Sequence, residues 1–363
     1  MSEQGNNIQN NVNNNDGNGS NSITNDNVNG NTITGSADNN TEMKNSSLPV
    51  RFHLPGLRQN YPLNMFWISL LKVHPEFFRD NVEIGSVFGC FPVALWNGGR
   101  FIASDQCDRQ YITGVVKALN NAGVPVRYTF TSPLITEEDL DDPYCNFCMQ
   151  VGDNGMNEVM IFSPILEQYI RDKYPSYKLN SSTCKEIRDK DELNAELDKD
   201  YKYVVLDYNL NNHWDIIDGL NKPEKLEVLI NCLCLPNCPR RGEHYRNMAR
   251  DGRIVLENRK LPPDKQKPIE PWYCEYGDHG GIYRIKNYPT FVSTEAIWNE
   301  YLPRGINNFK IEGRTANLFS LIETYSYFML KPEYSGEARL LLLRNLEESH
   351  IIQVNRPRPG RFE

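Results

Sequence analysis

From Leu48 onward, short runs of β-branched and aromatic residues alternate with longer stretches punctuated by Gly, Pro and Asn. Eight runs have strand length and composition: Val82–Phe88, Pro125–Phe130, Glu158–Phe162, Tyr177–Leu179, Tyr203–Leu206, Glu227–Ile230, Thr290–Val292 and Asn307–Ile311. Between them lie helical candidates: Gln110–Asn121 before Gly123, Pro164–Lys173 before Pro175, and Trp214–Leu220. Eight strands alternating with helices is the pattern that closes a parallel ring, so the expected fold is an α/β protein, a (β/α)8 TIM-like barrel.

Residues 1–47 break this pattern. They are dominated by Asn, with Gly, Ser and Thr, and hold almost nothing able to enter a core. A segment of that composition cannot bury enough apolar area to offset its ordering entropy, so a disordered Asn-rich tail is expected. The barrel is expected over 48–335, with a Cys-containing insertion at 231–289 and a C-terminal helix and basic tail at 336–363.

If the barrel closes, residues just past each run converge on one face, where barrel enzymes place their chemistry. Those positions are rich in small polar residues: Gly89 and Cys90, Thr131 and Ser132, Ser163, then Asn180 to Cys184. Further on come Asp207, Asn209, Asn211 and Asn212, then Asn231, Ser293, and Glu312 to Arg314.

The densest chemistry follows the sixth run, where Cys232, Cys234 and Cys238 crowd into a few residues and Cys274 lies further along the same connection. The spacing Cys234-x3-Cys238 is not the tight Cys-x2-Cys knuckle of a structural zinc site. Iron–sulfur clusters accept irregular spacing because thiolates come from separate loops, so Cys234, Cys238 and Cys274 could supply three ligands of a [4Fe-4S] cluster. The fourth would be Cys232, Cys184 or Cys90; the alternative is a non-catalytic barrel in which structural zinc or the thiols alone pin the long loop. Cys145 and Cys148 have the knuckle spacing but no second pair, and read as packing residues.

Other candidates surround the thiols. Arg240, Arg241 and Arg246 form a cationic patch suited to an anionic substrate. Lys310 and Arg314 flank the end of the last run and could clamp a carboxylate or phosphate. Asp207 and Glu243 are candidate proton carriers, and His244 is a candidate ligand or proton carrier.

Composition narrows the classes. The sequence is 39% hydrophobic and 11% aromatic, enough for a sizeable core, and its net charge of -8 argues against broad DNA binding. No run approaches the ~20 apolar residues needed to cross a bilayer. The start lacks a cationic then apolar signal stretch, so a cytoplasmic location is expected, where nine cysteines are better metal ligands or buried thiols than disulfides.

The segment Asn308-Phe309-Lys310-Ile311-Glu312-Gly313-Arg314, followed by a helical stretch bearing Tyr325 and Tyr327, resembles the Lys-Ile-Glu-Gly-Arg signature of the U32 collagenase-like peptidase group. The resemblance extends more loosely over about Val82 to Leu330. It implies a barrel, often with a cysteine-bound [4Fe-4S] cluster. For several members it implies oxygen-independent hydroxylation of RNA bases or of a ubiquinone precursor, hence an anionic small-molecule or RNA-base substrate and an electron donor or partner subunit. The chain departs from that group in its long Arg- and Pro-rich stretch, Arg240 to Tyr288, and shows no Ser-His-Asp or His-Glu-x-x-His arrangement to support peptidase chemistry.

Overall fold

The computed structural model describes residues 48–92, 94–98, 107–270, 272, 274, 282–313 and 317–353. The Asn-rich segment 1–47, Arg314 and the basic end of the chain lie outside the described residues. Eight parallel strands form a closed ring in chain order: β1 (Val50–Pro55), β2 (Val82–Gly89), β3 (Val126–Phe130), β4 (Glu158–Ile161), β5 (Lys178–Ser181), β6 (Tyr203–Val205), β7 (Leu226–Leu229) and β8 (Asn308–Lys310). Pairing of β1 with β8, Phe52 beside Phe309, closes it.

Helices cover the outside: α1 (Tyr61–Val73), α2 (Arg109–Asn121), α3 (Pro143–Val151), α4 (Pro164–Lys173), α5 (Lys190–Asp198), α6 (Trp214–Ile217), α7 (Arg241–Asn258), α8 (Ile282–Ile285), α9 (Thr294–Ala296), α10 (Leu318–Met329) and α11 (Ser335–Glu348). Local chemistry sets several starts. Asp108 caps α2 by accepting from Tyr111 N at 2.7 Å, and Ser163 caps α4 with Pro164 as its first residue. The C-terminal helix α11 buries Ala338, Leu342 and Leu346 in the main core, joining the outer layer. None of the described helices is long and apolar enough to cross a membrane.

Seven of the eight expected runs are strands, within two residues at each end. Thr290–Val292 is not: its backbone turns, and Val292 N bonds only to Ile230 O beyond the end of β7. Both edges of β7 are already occupied, by β6 and β8, so this buried β-branched run has no ladder to join. The eighth strand is β1, whose Val50, Phe52 and Leu54 are fully buried. Its alternation was present in the sequence, directly after the Asn-rich segment. With the seventh run goes the placement of Ser293 at a strand end; its hydroxyl caps α9, accepting from Ala296 N at 3.1 Å.

The ring has an apolar outside and a charged inside. Val126, Tyr128, Val159, Ile161, Val228 and Phe309 pack beneath the helices. Alternate positions carry Arg127, Glu158, Glu227, His53 and Asn180, all 0–1% exposed. Arg127 crosses the interior, with Nε 2.7 Å from Glu158 Oε2 and Nη1 bonded to Glu227 Oε2. Lys202 closes the network at the N-terminal end through Glu158.

Candidate active site at the barrel mouth

The C-terminal ends of the strands surround a cleft of about 650 Å³, counting its opening to solvent. Phe88, Met160 and Leu229 make apolar walls, Thr129, Thr131, Ser182 and Thr183 bring hydroxyls, and Lys310, Glu312 and Tyr245 bring functional groups. The expected strand-end residues Thr131, Ser182, Thr183, Cys184, Glu312 and Gly313 line it. Other strand-end residues are structural. Asn211 and Asn212 donate to the carbonyls of Thr290 and Phe291, bracketing the turn that replaces the seventh run.

Lys310 enters from the core. It is 8% exposed, with its Nζ 3.5 Å from Glu227 Oε1 and 4.4 Å from the centroid of the Phe88 ring. Glu227 thus serves Arg127 below and Lys310 above. Burial pulls the Glu227 carboxyl upward, but the Arg127 guanidinium and then Lys310 outweigh it and hold the pKa well below the usual range, so Glu227 stays charged. His53 completes the layer. Its Nδ1 faces two groups, Arg127 Nη2 at 3.2 Å and Ser86 Oγ at 2.9 Å. A guanidinium can only donate, so Nδ1 accepts and the ring proton is on Nε2, facing Glu227 Oε2 at 3.4 Å. Burial and then Arg127 push the His53 pKa down to about 3, which keeps the imidazole neutral.

α7 lies across the mouth. At its start Arg241 Nη2 donates to Thr183 O and Oγ1 at 2.9 and 2.8 Å, Nη1 binds Asp207, and Nε donates to Tyr245 Oη at 3.1 Å. Twelve residues later, about 18 Å along a helix, Arg253 binds Asp139 and the Leu134 carbonyl in the connection after β3. The Arg- and Pro-rich insertion therefore supplies a cover that carries Tyr245 over the pocket. Sequence reasoning missed Tyr245 and Gly98, because neither is near the end of a strand. A Cβ on Gly98 would stand 2.1 Å from the Thr131 carbonyl oxygen. Gly98→Ala is therefore expected to displace that wall and lower unfolding free energy by about 1–3 kcal/mol, as overpacking does; a thermal melt within error of wild type would refute it.

The thiol loop is shaped by a turn. Cys238 N bonds to Leu235 O at 3.2 Å, with Pro236 at the second position and Asn237 at φ 54°, a type II pattern that folds Cys238 back toward Cys234. Asn209 Oδ1 anchors the turn by accepting from Asn237 N at 2.7 Å. Cys238 and Cys234 are within hydrogen-bonding reach, and Cys274 adds its field. Burial first, then these two thiols, push the Cys238 thiol up. Cys232 and half-buried Cys234 pack on Tyr208, whose phenol is raised by burial and then by the same two thiols. Among the described residues, no three His, Cys, Asp or Glu side chains are close enough together to hold a metal ion. The thiols form a contacting pair, Cys234 and Cys238, with Cys232 and Cys274 around them.

The remaining candidates are placed as follows. Asp207 is 2% exposed and is engaged as a charged brace by Arg241 and by Asn209 N at 3.0 Å. Arg241 spends its donors on Thr183, Asp207 and Tyr245, and so shapes the wall of the pocket. Arg240 lies over the Trp272 ring at 4.0 Å and pairs with exposed Glu243 at 3.1 Å, and His244 stacks against the same indole at 5.8 Å. Arg240, Glu243 and His244 are not among the residues lining the cleft. Cys90 bonds to Thr129 O at 3.2 Å, on the β3 side, whereas Cys184 lines the cleft. Cys145 and Cys148 are buried in the core and their thiols are pushed well up by burial, as the packing reading expects.

The Lys-Ile-Glu-Gly segment ties these parts together. Asn231 and Glu312 bond reciprocally, Asn231 Nδ2 to Glu312 O at 2.9 Å and Glu312 N to Asn231 Oδ1 at 2.6 Å. Glu312 Oε2 then accepts from Leu233 N, between the first two thiols, at 2.9 Å.

Fold and site define a closed eight-stranded parallel barrel with a partly polar cleft at its C-terminal mouth. No protein-family model matches the sequence, and no curated protein matches it. Among solved structures, the chain is similar to the U32 peptidase Mk0906, at 12% identity and a TM-score of 0.44, over 74% of this chain and 94% of that one.

Proposed function

We propose that the chain is a barrel enzyme whose substrate binds in the mouth above Lys310 and whose rim thiols Cys234, Cys238 and Cys274, with Cys232, hold a [4Fe-4S] cluster. The observation that carries the reading is the contact of Cys234 with Cys238, beside Cys232 and Tyr208, in a loop joined through Glu312 to the pocket wall. Thiolate sulfur is the donor type such a centre takes, and the four thiols would have to draw together around it. Thiols that raise one another's pKa by proximity are the ones a cation between them relieves. When bound, such a cluster supplies one-electron redox chemistry.

The chain's own residues then have defined tasks. Lys310, buried among Phe88 and Leu229, binds the anionic end of a small molecule or a nucleobase carbonyl in a water-poor floor. The hydroxyls of Thr129, Thr131, Ser182 and Thr183 orient the remainder. Arg241 holds the Tyr245 hydroxyl over it. The reaction class is oxygen-independent hydroxylation or related redox chemistry, with an external electron carrier as partner, in a cytoplasmic setting. A peptidase reading is weaker, because no histidine or aspartate is among the described residues lining the cleft to activate Ser182 or Cys184.

Anaerobically purified protein is expected to be brown, with iron and acid-labile sulfide in stoichiometric amounts and visible absorbance that Cys238→Ala abolishes. A colourless protein carrying one zinc per chain would replace the cluster with a structural ion, and a protein free of both metals would end the proposal.

A further inference from the structure

We infer that α7 is a hinged cover for the mouth, fixed at Arg241 and released at Arg253 to admit a ligand. That use of the helix rests on reading the mouth as a binding site; its motion does not. α7 is 18 residues long, yet of its four buried residues Arg241, Asn247 and Asp251 are polar or charged, and only Ala249 is apolar. Among the described residues, no side chain of α7 belongs to the main hydrophobic core or packs against it. A helix docked without apolar burial loses little on leaving, and lids are drawn from such weakly held segments.

The two ends are held unequally. Arg241 is 3% exposed and is gripped by Thr183, Asp207 and Tyr245, with the Tyr208 ring centroid 4.5 Å away. Withdrawing it leaves the buried Asp207 carboxylate without its closest cation, so this end is the harder to lift. The Arg253 side chain is 27% exposed, and an ion pair reached by water is weak and screened by salt. Its catch stays still: the Asp139 carboxylate accepts from Thr136 N and Oγ1 at 2.7 and 3.0 Å, and the Asp139 carbonyl from Trp96 Nε1 at 2.7 Å. Asp139 and Leu134 follow Thr131, a buried residue of the cleft wall, so release of Arg253 opens the cleft on that side.

Hydrogen exchange of the full chain without ligand, read by peptide mass, tests the hinge. In Arg253→Gln, amides of 247–258 are expected to exchange several-fold faster than in wild type, with those of 240–246 and of β3 and β4 unchanged. Equal acceleration of both halves of α7 overturns the hinge, and no acceleration overturns the latch. A Thr131→Cys reporter separates lifting from fraying of the last turn. Its alkylation by iodoacetamide should rise several-fold when Arg253→Gln is added, with buried Cys145 and Cys148 as references, and equal rates overturn the inference. If Arg253→Gln folds poorly, wild type alone decides. Its 247–258 exchange, relative to β3 and β4, should rise several-fold between low salt and about 1 M sodium chloride, and a flat response overturns the latch. None of these readouts needs a ligand, so failure of the mouth as a binding site and failure of the hinge are told apart.

Discussion

Replacing Arg127 by methionine is expected to lower the unfolding free energy by about 3–5 kcal/mol, the cost of breaking a buried ion pair from one side. Methionine fills much of the volume, so the loss is electrostatic. Glu158 and Glu227 are both 0% exposed, and each depends on the same guanidinium. Lys202 remains for Glu158 and Lys310 for Glu227, but Lys310 stands 3.5 Å away and faces the mouth. The double variant Arg127→Met/Glu227→Gln should recover part of the loss by removing one stranded carboxylate, a non-additivity that marks direct coupling. Urea unfolding followed by tryptophan fluorescence measures both. A loss below about 1 kcal/mol for the single variant would mean that the charges relax into water, contrary to a closed core.

Acidification is expected to have the next largest effect, and His53 sets its upper window. The folded His53 pKa is about 3, below the ordinary value of 6.5. As pH falls below 6.5, the unfolded chain takes up the proton and the folded chain does not, so stability falls at about 1.4 kcal/mol per pH unit. The contribution reaches about 3 kcal/mol between pH 6.5 and 4.5. Glu158 and Glu227 act lower. Their pKa values are held below the ordinary carboxylate value of 4.5, so the stability they add is present above that pH and is lost as pH falls through their folded values. His53→Gln should therefore flatten the loss between pH 6.5 and 4.5 while leaving the loss below it. Identical slopes in wild type and variant would show that the imidazole is protonated inside the barrel.

Much of the architecture was legible because strand and helix periodicities are local. Seven strands and α2 and α4 were readable from runs and breakers, and so were the strand-end residues that line the cleft at the mouth. The exchange of Val50–Pro55 for Thr290–Val292 shows the limit. Both stretches are β-branched or alternating, and only the availability of a strand edge decides which one enters the ring. Lys310, Thr183 and Glu312 were legible as strand-end residues. Arg127, Glu158, Glu227 and His53 were not, because a charged residue on a strand ordinarily points to solvent, and nothing local says that four will meet inside a closed ring.

By itself, the sequence determined the alternation of elements and the polar character of the strand ends. Each depends on neighbours within a few positions, whose sterics and hydrogen bonding are encoded in order along the chain. Only the tertiary structure decided that β1 closes the barrel on β8, that α7 lays Tyr245 across the mouth, and that Glu312 reaches the thiol loop of another strand. Those are contacts between distant segments, and their energies exist only once closure has excluded water and brought the charges together.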